Sequence, residues 1–242
     1  MRVLVIGGAG YVGGLVLPRL AERHELRVLD PRPPAAGGVE HLPGSAADPE
    51  ALARAVSGMD AVLHMAMAGA ADSGAAEAAR GFEVNVTSVH LALRAAHEAG
   101  IRHAVFLSSF SVYRDLVDRR LDETVPPDAT DLYGLTKRLG EEVCRAAVEE
   151  WGLSVTALRL AWPTTDEAWP AWALPGADSA THHTEDGTLI PALAATDLAA
   201  ALCAALEPRE GFRVFHVTGG DANGRWPLTE AARHLHWTPG RR

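Results

Sequence analysis

The chain has only two cysteines, Cys144 and Cys203, in 242 residues. They lie far apart, which excludes a disulfide-stapled scaffold and a cysteine-based zinc site. No metal is expected. No apolar run is long enough to span a bilayer. Strand-like residues begin at Val3, which leaves no room for a leader peptide, so a cytoplasmic protein without a membrane partner is expected. Positive charge is also in deficit. A formal net charge of −9 argues against nucleic acid or an anionic membrane surface as a partner. It leaves room for an anionic small molecule held in a local basic pocket. What the chain does have is apolar content, 48%, enough for one large α/β domain or a domain with a small appendage.

Short β-like runs at Val3–Ile6, Leu26–Leu29, Ala61–His64, Ala104–Leu107, Val155–Leu158 and Val214–Val217 alternate with helix-like stretches. The helical stretches are Tyr11–Glu22, Glu50–Val56, Ala75–Ala99, Leu132–Trp151 and Thr196–Leu206. This alternation predicts a parallel sheet with helices on both faces. Asp48-Pro49-Glu50 reads as a helix start with an Asp cap and Pro at the first position. Gly100 and Gly152 suit helix stops. Residues 31–43 and 114–131 read as loops, with a short strand at Val39–Leu42, and Trp162 to Pro191 is the least regular stretch.

The run Gly7-Gly8-Ala9-Gly10-Tyr11-Val12-Gly13 follows the first strand and opens the first helix. Glycines let the backbone turn tightly and let a pyrophosphate approach it closely. A helix start offers unpaired N–H groups to the anion. Asp30 closes the second strand, near the spacing expected of a ribose-binding carboxylate. The context points to a dinucleotide, and the Gly7-x-x-Gly10-x-x-Gly13 spacing differs from the commoner G-x-G-x-x-G.

A second signal is Tyr133-Gly134-Leu135-Thr136-Lys137. Residues four apart share a helix face, so Tyr133 and Lys137 point into the same space. A phenol with a pKa of about 10 is a poor base at neutral pH, and a nearby ammonium favours its ionised form. The pair is therefore a candidate acid/base for a substrate hydroxyl. Ser108-Ser109 end the strand at Ala104–Leu107, where open α/β sheets collect their ligands.

Further segments fall in order: Asp60-Ala61-Val62-Leu63-His64-Met65-Ala66, Asn85-Val86, Ser108-Ser109-Phe110-Ser111-Val112-Tyr113, Asp122-Glu123, Leu158-Arg159-Leu160-Ala161-Trp162-Pro163, Thr196-Asp197-Leu198 and His236-Trp237-Thr238-Pro239. With the glycine loop and the Tyr133/Lys137 pair, this series resembles the extended short-chain dehydrogenase/reductase family, the NAD-dependent epimerases and dehydratases. The likeness runs from Met1 to about Pro163. It implies a Rossmann-type doubly wound sheet over 1–160 and a small substrate lobe over 161–242, interleaved with the last sheet elements. Ser109, Tyr133 and Lys137 would be catalytic, with Lys137 binding the nicotinamide ribose and lowering the pKa of Tyr133. NAD would lie against Gly7, Gly10, Tyr11, Val12, Gly13, Asp30, Arg32, Ser45, Met65, Ala66, Met67, Asn85, Leu107, Tyr133, Lys137 and Pro163. The substrate would meet Ser109, Phe110, Ser111, Arg114 and Trp162.

The chain departs from the family pattern in places. Ser45 stands where an adenine-contacting Asp is common, Arg114 where Gly is common, and Trp162 where nucleotide-sugar epimerases carry Asn. Phe110-Ser111 after Ser109 disfavours a 4,6-dehydratase. The lobe after Pro163 is small, which suggests a small sugar-like ligand. The resemblance thus implies redox chemistry at a secondary hydroxyl. Oxidation of a free sugar acid, as in the compact uronate dehydrogenases, and a non-catalytic NAD-binding regulator are alternatives. Arg114, Arg159, His182 and His183 are candidates to meet a carboxylate, with a structural ion pair the preferred reading for Arg159. A homodimer through the Ala75–Ala99 and Leu132–Trp151 helices is expected.

Overall fold

A computed structural model describes residues 1–68, 74–117, 119–173 and 176–240. Parts of the 114–131 loop and of the Trp162–Pro191 stretch, at 118 and 174–175, lie outside the described residues. Seven strands, β1 (Arg2–Ile6), β2 (Glu25–Leu29), β3 (Glu40–Leu42), β4 (Ala61–His64), β5 (His103–Ser109), β6 (Ser154–Leu160) and β7 (Phe212–Val217), form one sheet. Its order is β7-β6-β5-β4-β1-β2-β3, with every pairing parallel. The chain leaves β1 toward β2 on one side and returns to β4 on the other, which opens a crevice at the carboxyl ends of β1 and β4.

The central strands β1, β4 and β5 read as largely apolar runs because helices cover both faces. On one face α1 (Tyr11–Ala21) and α6 (Ala195–Leu206) pack Val16, Leu20, Leu198 and Leu202 against Val3, Val5 and Leu63. On the other, α2 (Pro49–Ala55), α4 (Ser88–Glu98) and α5 (Leu132–Trp151) pack Leu52, Leu93 and Cys144 against Leu4, Ile6 and Phe106. Asp48 caps α2 by accepting from Glu50 N at 2.9 Å. Gly152 ends α5 in the left-handed region at φ 65.

The helix expected over Ala75–Ala99 is divided. A helix α3 (Ala75–Phe82) passes through a π-turn at Glu83–Thr87 before α4. π-turns insert an extra residue and collect at functional sites. This one aims Asn85 inward.

β7 and α6 complete the main sheet, so the residues beyond it are essentially 162–194 and 218–240. They hold a two-stranded pair, Pro163–Thr164 with Leu193–Ala194, and a hairpin, His182–His183 with Leu189–Ile190. A third apolar cluster of Phe110, Val112, Tyr113, Leu121, Ile190 and Trp226 joins these segments to the end of β5. Among the described residues, no helix is long and apolar enough to cross a membrane, and no group of three or more His, Cys, Asp or Glu is placed to hold a metal ion.

Candidate active site

At the carboxyl end of β1 the chain turns sharply and enters α1. A Cβ on Gly13 would lie 1.9 Å from the Gly8 carbonyl oxygen, so only glycine lets α1 begin that close to the loop. Gly10 differs. Its nearest neighbour to a Cβ, the Gly7 oxygen, would be 3.6 Å away, and the protein itself has room for a side chain there. Gly10 caps α1 with no side-chain hydrogen bond, and the first turn carries no acid. An uncapped helix start beside open space that a Cβ would fill is what a phosphate requires.

Asp30, at the end of β2, is 6% exposed. Its carboxylate accepts from Ala9 N and Arg32 N, both at 3.0 Å. It therefore braces the glycine loop and retains lone pairs for a ribose diol. The Arg32 side chain is exposed, as is Ser45, whose hydroxyl accepts from Ala47 N at 3.1 Å. Met65 and Ala66 are buried after β4, and Met67 is exposed.

β5 delivers Ser109. Its hydroxyl accepts from Ser111 N at 3.0 Å and caps the 3-10 turn Phe110–Val112. The start of α5 packs directly on that turn. A Cβ on Gly134 would lie 2.2 Å from the Ser111 carbonyl oxygen, and Asp131 caps the helix through Gly134 N at 2.9 Å. Glycine at 134 is thus what lets Tyr133 stand beside Ser109. Burial pushes the Tyr133 phenol above its ordinary pKa, while the Ser109 hydroxyl pulls it back down.

Lys137 lies one turn further on and is 3% exposed. Its Nζ donates to the Leu107 carbonyl at 2.7 Å and sits 5.0 Å above the Phe106 ring and 5.9 Å from the centroid of Tyr133. Burial lowers its pKa to about 8, against the pull of Cys144 and Glu141. Lys137 is also the only lysine in the chain; the other 21 of the 22 basic side chains counted as Lys or Arg are Arg. The position takes the compact ammonium, which can lose its proton when buried, in place of the fixed guanidinium fork.

Three of the residues expected to meet the ligand are buried, as Lys137 is. Asn85 is fully buried, its amide donating to Ala68 O at 2.8 Å and Thr136 Oγ1 at 2.9 Å and accepting from Ala68 N at 3.0 Å. It ties the turn after β4 to α5. Leu107 is buried and gives its carbonyl to Lys137. Phe110 is 2% exposed, with its ring 4.5 Å from His216 and 4.8 Å from Trp226, in the lobe's core. The family resemblance marks all three as near the site, and tertiary packing sets how deeply each is buried.

Arg114 is exposed; its backbone N–H donates to Asp128 at 2.9 Å and its Nε lies 3.9 Å from the same carboxylate. Arg159 forms a buried pair with Glu141 at 2.9 and 2.7 Å. It also donates to Tyr113, whose hydroxyl lies 3.1 Å from both His216 Nε2 and the Asp122 carbonyl. Ser108 donates to the same Glu141 at 2.5 Å. Ser108, Tyr113, Asp122 and Arg159 of this network fall in segments the sequence marks, whereas Glu141 and His216 left no local signal.

Trp162 leaves β6 two residues past Leu160, the register partner of Ser109. It adopts φ 43 and stacks on His182 at 4.3 Å. The Tyr11 hydroxyl donates toward Ala173 O at 2.8 Å and Pro163 O at 3.2 Å, which fastens the start of the lobe to α1. Arg19 and Asp166 add an ion pair at 2.6 Å across the same junction.

A family model described as the NAD dependent epimerase/dehydratase family matches residues 3–164. A 3-beta-hydroxysteroid dehydrogenase of Mycolicibacterium neoaurum is 34% identical over 65% of this chain and 46% of its own length. A uronate dehydrogenase of Pseudomonas putida is 31% identical over 66% of this chain and 60% of its own. The chain thus spans less than two thirds of the length of either curated relative. Among solved structures, a uronate dehydrogenase from Agrobacterium tumefaciens, a point mutant complexed with NAD, superposes with a TM-score of 0.80 over 99% of this chain and 84% of its own. At 24% identity that likeness is one of fold.

Proposed function

This chain belongs to the NAD dependent epimerase/dehydratase family, and we propose that it moves a hydride to or from a secondary hydroxyl carbon of a sugar-like substrate. The observation that carries the reading is the convergence of Ser109, Tyr133 and the single lysine, Lys137, at the carboxyl end of β5.

The residues present fit a dinucleotide. The uncapped start of α1, with the space at Gly10, suits the pyrophosphate. Asp30 suits an unphosphorylated adenosine ribose, because a carboxylate repels a 2′-phosphate. Ser45 would face the adenine, Met65–Met67 and Pro163 would wall the cleft, and Lys137 would hold the nicotinamide ribose. When bound, NAD accepts or returns the hydride.

The chain's own residues handle the proton. In the oxidative direction Tyr133 must act as its phenolate, taking the proton of the substrate hydroxyl to become the phenol; in the reductive direction the phenol returns that proton. Ser109 donates to the same substrate oxygen and fixes its distance from Tyr133. The Lys137 ammonium stabilises negative charge developing on the phenol once the site is closed from water, because Coulomb attraction strengthens as water leaves.

The test is Tyr133→Phe. Turnover is expected to vanish while NAD still binds, read by fluorescence titration. Turnover that survives overturns the assignment, and NAD that fails to bind the wild type overturns the family reading of the cleft. The 31% identity to a uronate dehydrogenase favours net oxidation of a free sugar over internal epimerisation. Purification without added cofactor separates the two, since an epimerase retains its dinucleotide. A homodimer through α4 and α5, where His90 and His97 lie against Trp151, is part of the proposal and is checked by sedimentation.

A further inference from the structure

Both chain neighbours of Ser109 are anchored. After it, Phe110 seats its ring 4.5 Å from His216 and 4.8 Å from Trp226. Before it, the Ser108 hydroxyl donates to Glu141 at 2.5 Å. Alternate residues of a strand project from opposite faces. The bond at Ser108 therefore holds the strand end while leaving the Ser109 hydroxyl free for other partners.

Glu141 does more than receive that hydroxyl. It lies one turn beyond Lys137, on the helix that also carries Tyr133. Its Oε1 accepts from Ser108 and from Arg159 Nε at 2.9 Å, and its Oε2 accepts from Arg159 Nη2 at 2.7 Å. Arg159 is the register partner of Ser108 on β6. One carboxylate thus fixes α5 to two adjacent strands at the same level, one residue short of Ser109. Arg159 also donates to the Tyr113 hydroxyl, which sits 3.1 Å from His216 Nε2. The tie therefore reaches the residue that seats Phe110.

Other contacts along α5 are of a different kind. A Cβ on Gly140 would lie 2.6 Å from Phe106 Cζ, and one on Gly134 would lie 2.2 Å from the Ser111 oxygen. These set how closely the helix approaches β5. The bond from Lys137 to the Leu107 carbonyl runs through a flexible four-carbon stem. The Glu141 fork is directional, and a bidentate guanidinium–carboxylate pair adds geometric specificity to its strength. Stability does not explain it. An apolar pair of similar size would avoid the desolvation that both charges bear and would hold the fold as well.

We propose that Glu141, with Arg159, is a positioning residue that sets the Ser109 hydroxyl against the Tyr133 phenol by locking α5 to the ends of β5 and β6. The inference rests on the function proposed above and adds to it a residue that acts through Ser109. Ser109 and Tyr133 must meet one substrate oxygen, and a displacement of about 1 Å can cost about a hundredfold in rate.

The experiment uses the full chain, loaded with NAD and labelled with the NMR-active carbon isotope at tyrosine Cζ. The chain has three tyrosines, Tyr11, Tyr113 and Tyr133, so Tyr133→Phe assigns the resonance that matters. Ser109→Ala gives the position of that resonance when the phenol has lost its serine. Two variants then test the tie. Ser108→Ala leaves every charge in place. Glu141→Leu with Arg159→Met replaces both charges by apolar groups. In each, the Tyr133 resonance is expected to move toward its position in Ser109→Ala while Tyr11 stays unmoved. Turnover is followed with whichever of L-arabinose, D-galacturonate or a 3β-hydroxysteroid the wild type oxidises. In the double variant kcat should fall about tenfold or more, and in Ser108→Ala about threefold, with KM and the Kd for NAD within about twofold. A Tyr133 resonance left at its wild-type position in Ser108→Ala, or a folded double variant with wild-type kcat, overturns the proposal. Should the double variant not fold, Ser108→Ala decides alone. Turnover that survives Tyr133→Phe would overturn the proposed function instead, and the resonances would still show whether Glu141 places Ser109.

Discussion

Replacing Glu141 by Ala removes the acceptor at the centre of the buried network. Three donors lose their partner at once: Arg159 Nε, Arg159 Nη2 and the Ser108 hydroxyl. The two charged side chains are 4% and 3% exposed, so water cannot replace the carboxylate. Removing one partner of a buried ion pair costs about 3–5 kcal/mol, mainly because the other charge stays behind unpaired. A domain is stable by only about 5–15 kcal/mol, so the loss is a large fraction of the whole. For a chain of this size each kcal/mol moves Tm by roughly 2–4 °C, which places the expected fall at roughly 6–20 °C. Urea unfolding followed by circular dichroism gives the free energy, and calorimetry gives Tm. The same argument makes a second, opposite claim. The double variant Glu141→Leu with Arg159→Met removes both charges and should recover to within about 2 kcal/mol of wild type, because an apolar pair of similar size avoids the desolvation cost. A loss below about 1 kcal/mol in Glu141→Ala, or a double variant no better than the single, refutes the reasoning.

The glycine loop separates steric from ligand-imposed constraint. Gly13→Ala should yield little folded protein, given a Cβ 1.9 Å from the Gly8 oxygen, whereas Gly10→Ala should fold normally and weaken NAD binding at least tenfold; equal stability losses in thermal melts would contradict this. His64 and His216 both have pKa values lowered to about 3 by burial. Between pH 6.5 and 3 the unfolded chain takes up protons that the folded chain refuses, so stability should fall as pH drops through that window and fall less steeply in His216→Phe; parallel unfolding curves for the two proteins would refute the assignment. Lys137, lowered to about 8, moves the pH region but not the sign. From about pH 8 toward 10 the unfolded lysine holds a proton the folded one has released, so wild type should gain stability relative to Lys137→Met, and a constant difference across that range would count against it.

Short-range signals carried most of the fold into the sequence. Largely apolar runs marked six strands of the sheet, and the ends of α5 and β4 fall where the sequence places them. The Gly7–Gly13 loop and the four-residue spacing of Tyr133 and Lys137 are local facts, readable because a turn and a helix face each need only neighbouring residues. The π-turn at Glu83–Thr87 was not readable, since the helical pattern continues through it and the reason for the extra residue, Asn85 bonding Ala68 and Thr136, lies far along the chain.

The sequence by itself therefore determined the order of strands and helices, the glycine turn that makes a candidate phosphate cradle, and the candidate acid/base pair. Tertiary structure decided what surrounds them. Only packing brought Ser109 against Tyr133 through the glycine at 134, gave Lys137 to a backbone carbonyl, and buried Phe110, Asn85 and Leu107. Only packing joined Phe110, Trp226, Trp162, His182 and Trp172 into one aromatic cluster. The physical reason is common to all of these. Burial and partner choice depend on contacts between residues tens of positions apart, and desolvation, which sets the charge states here, exists only once the chain has closed around them.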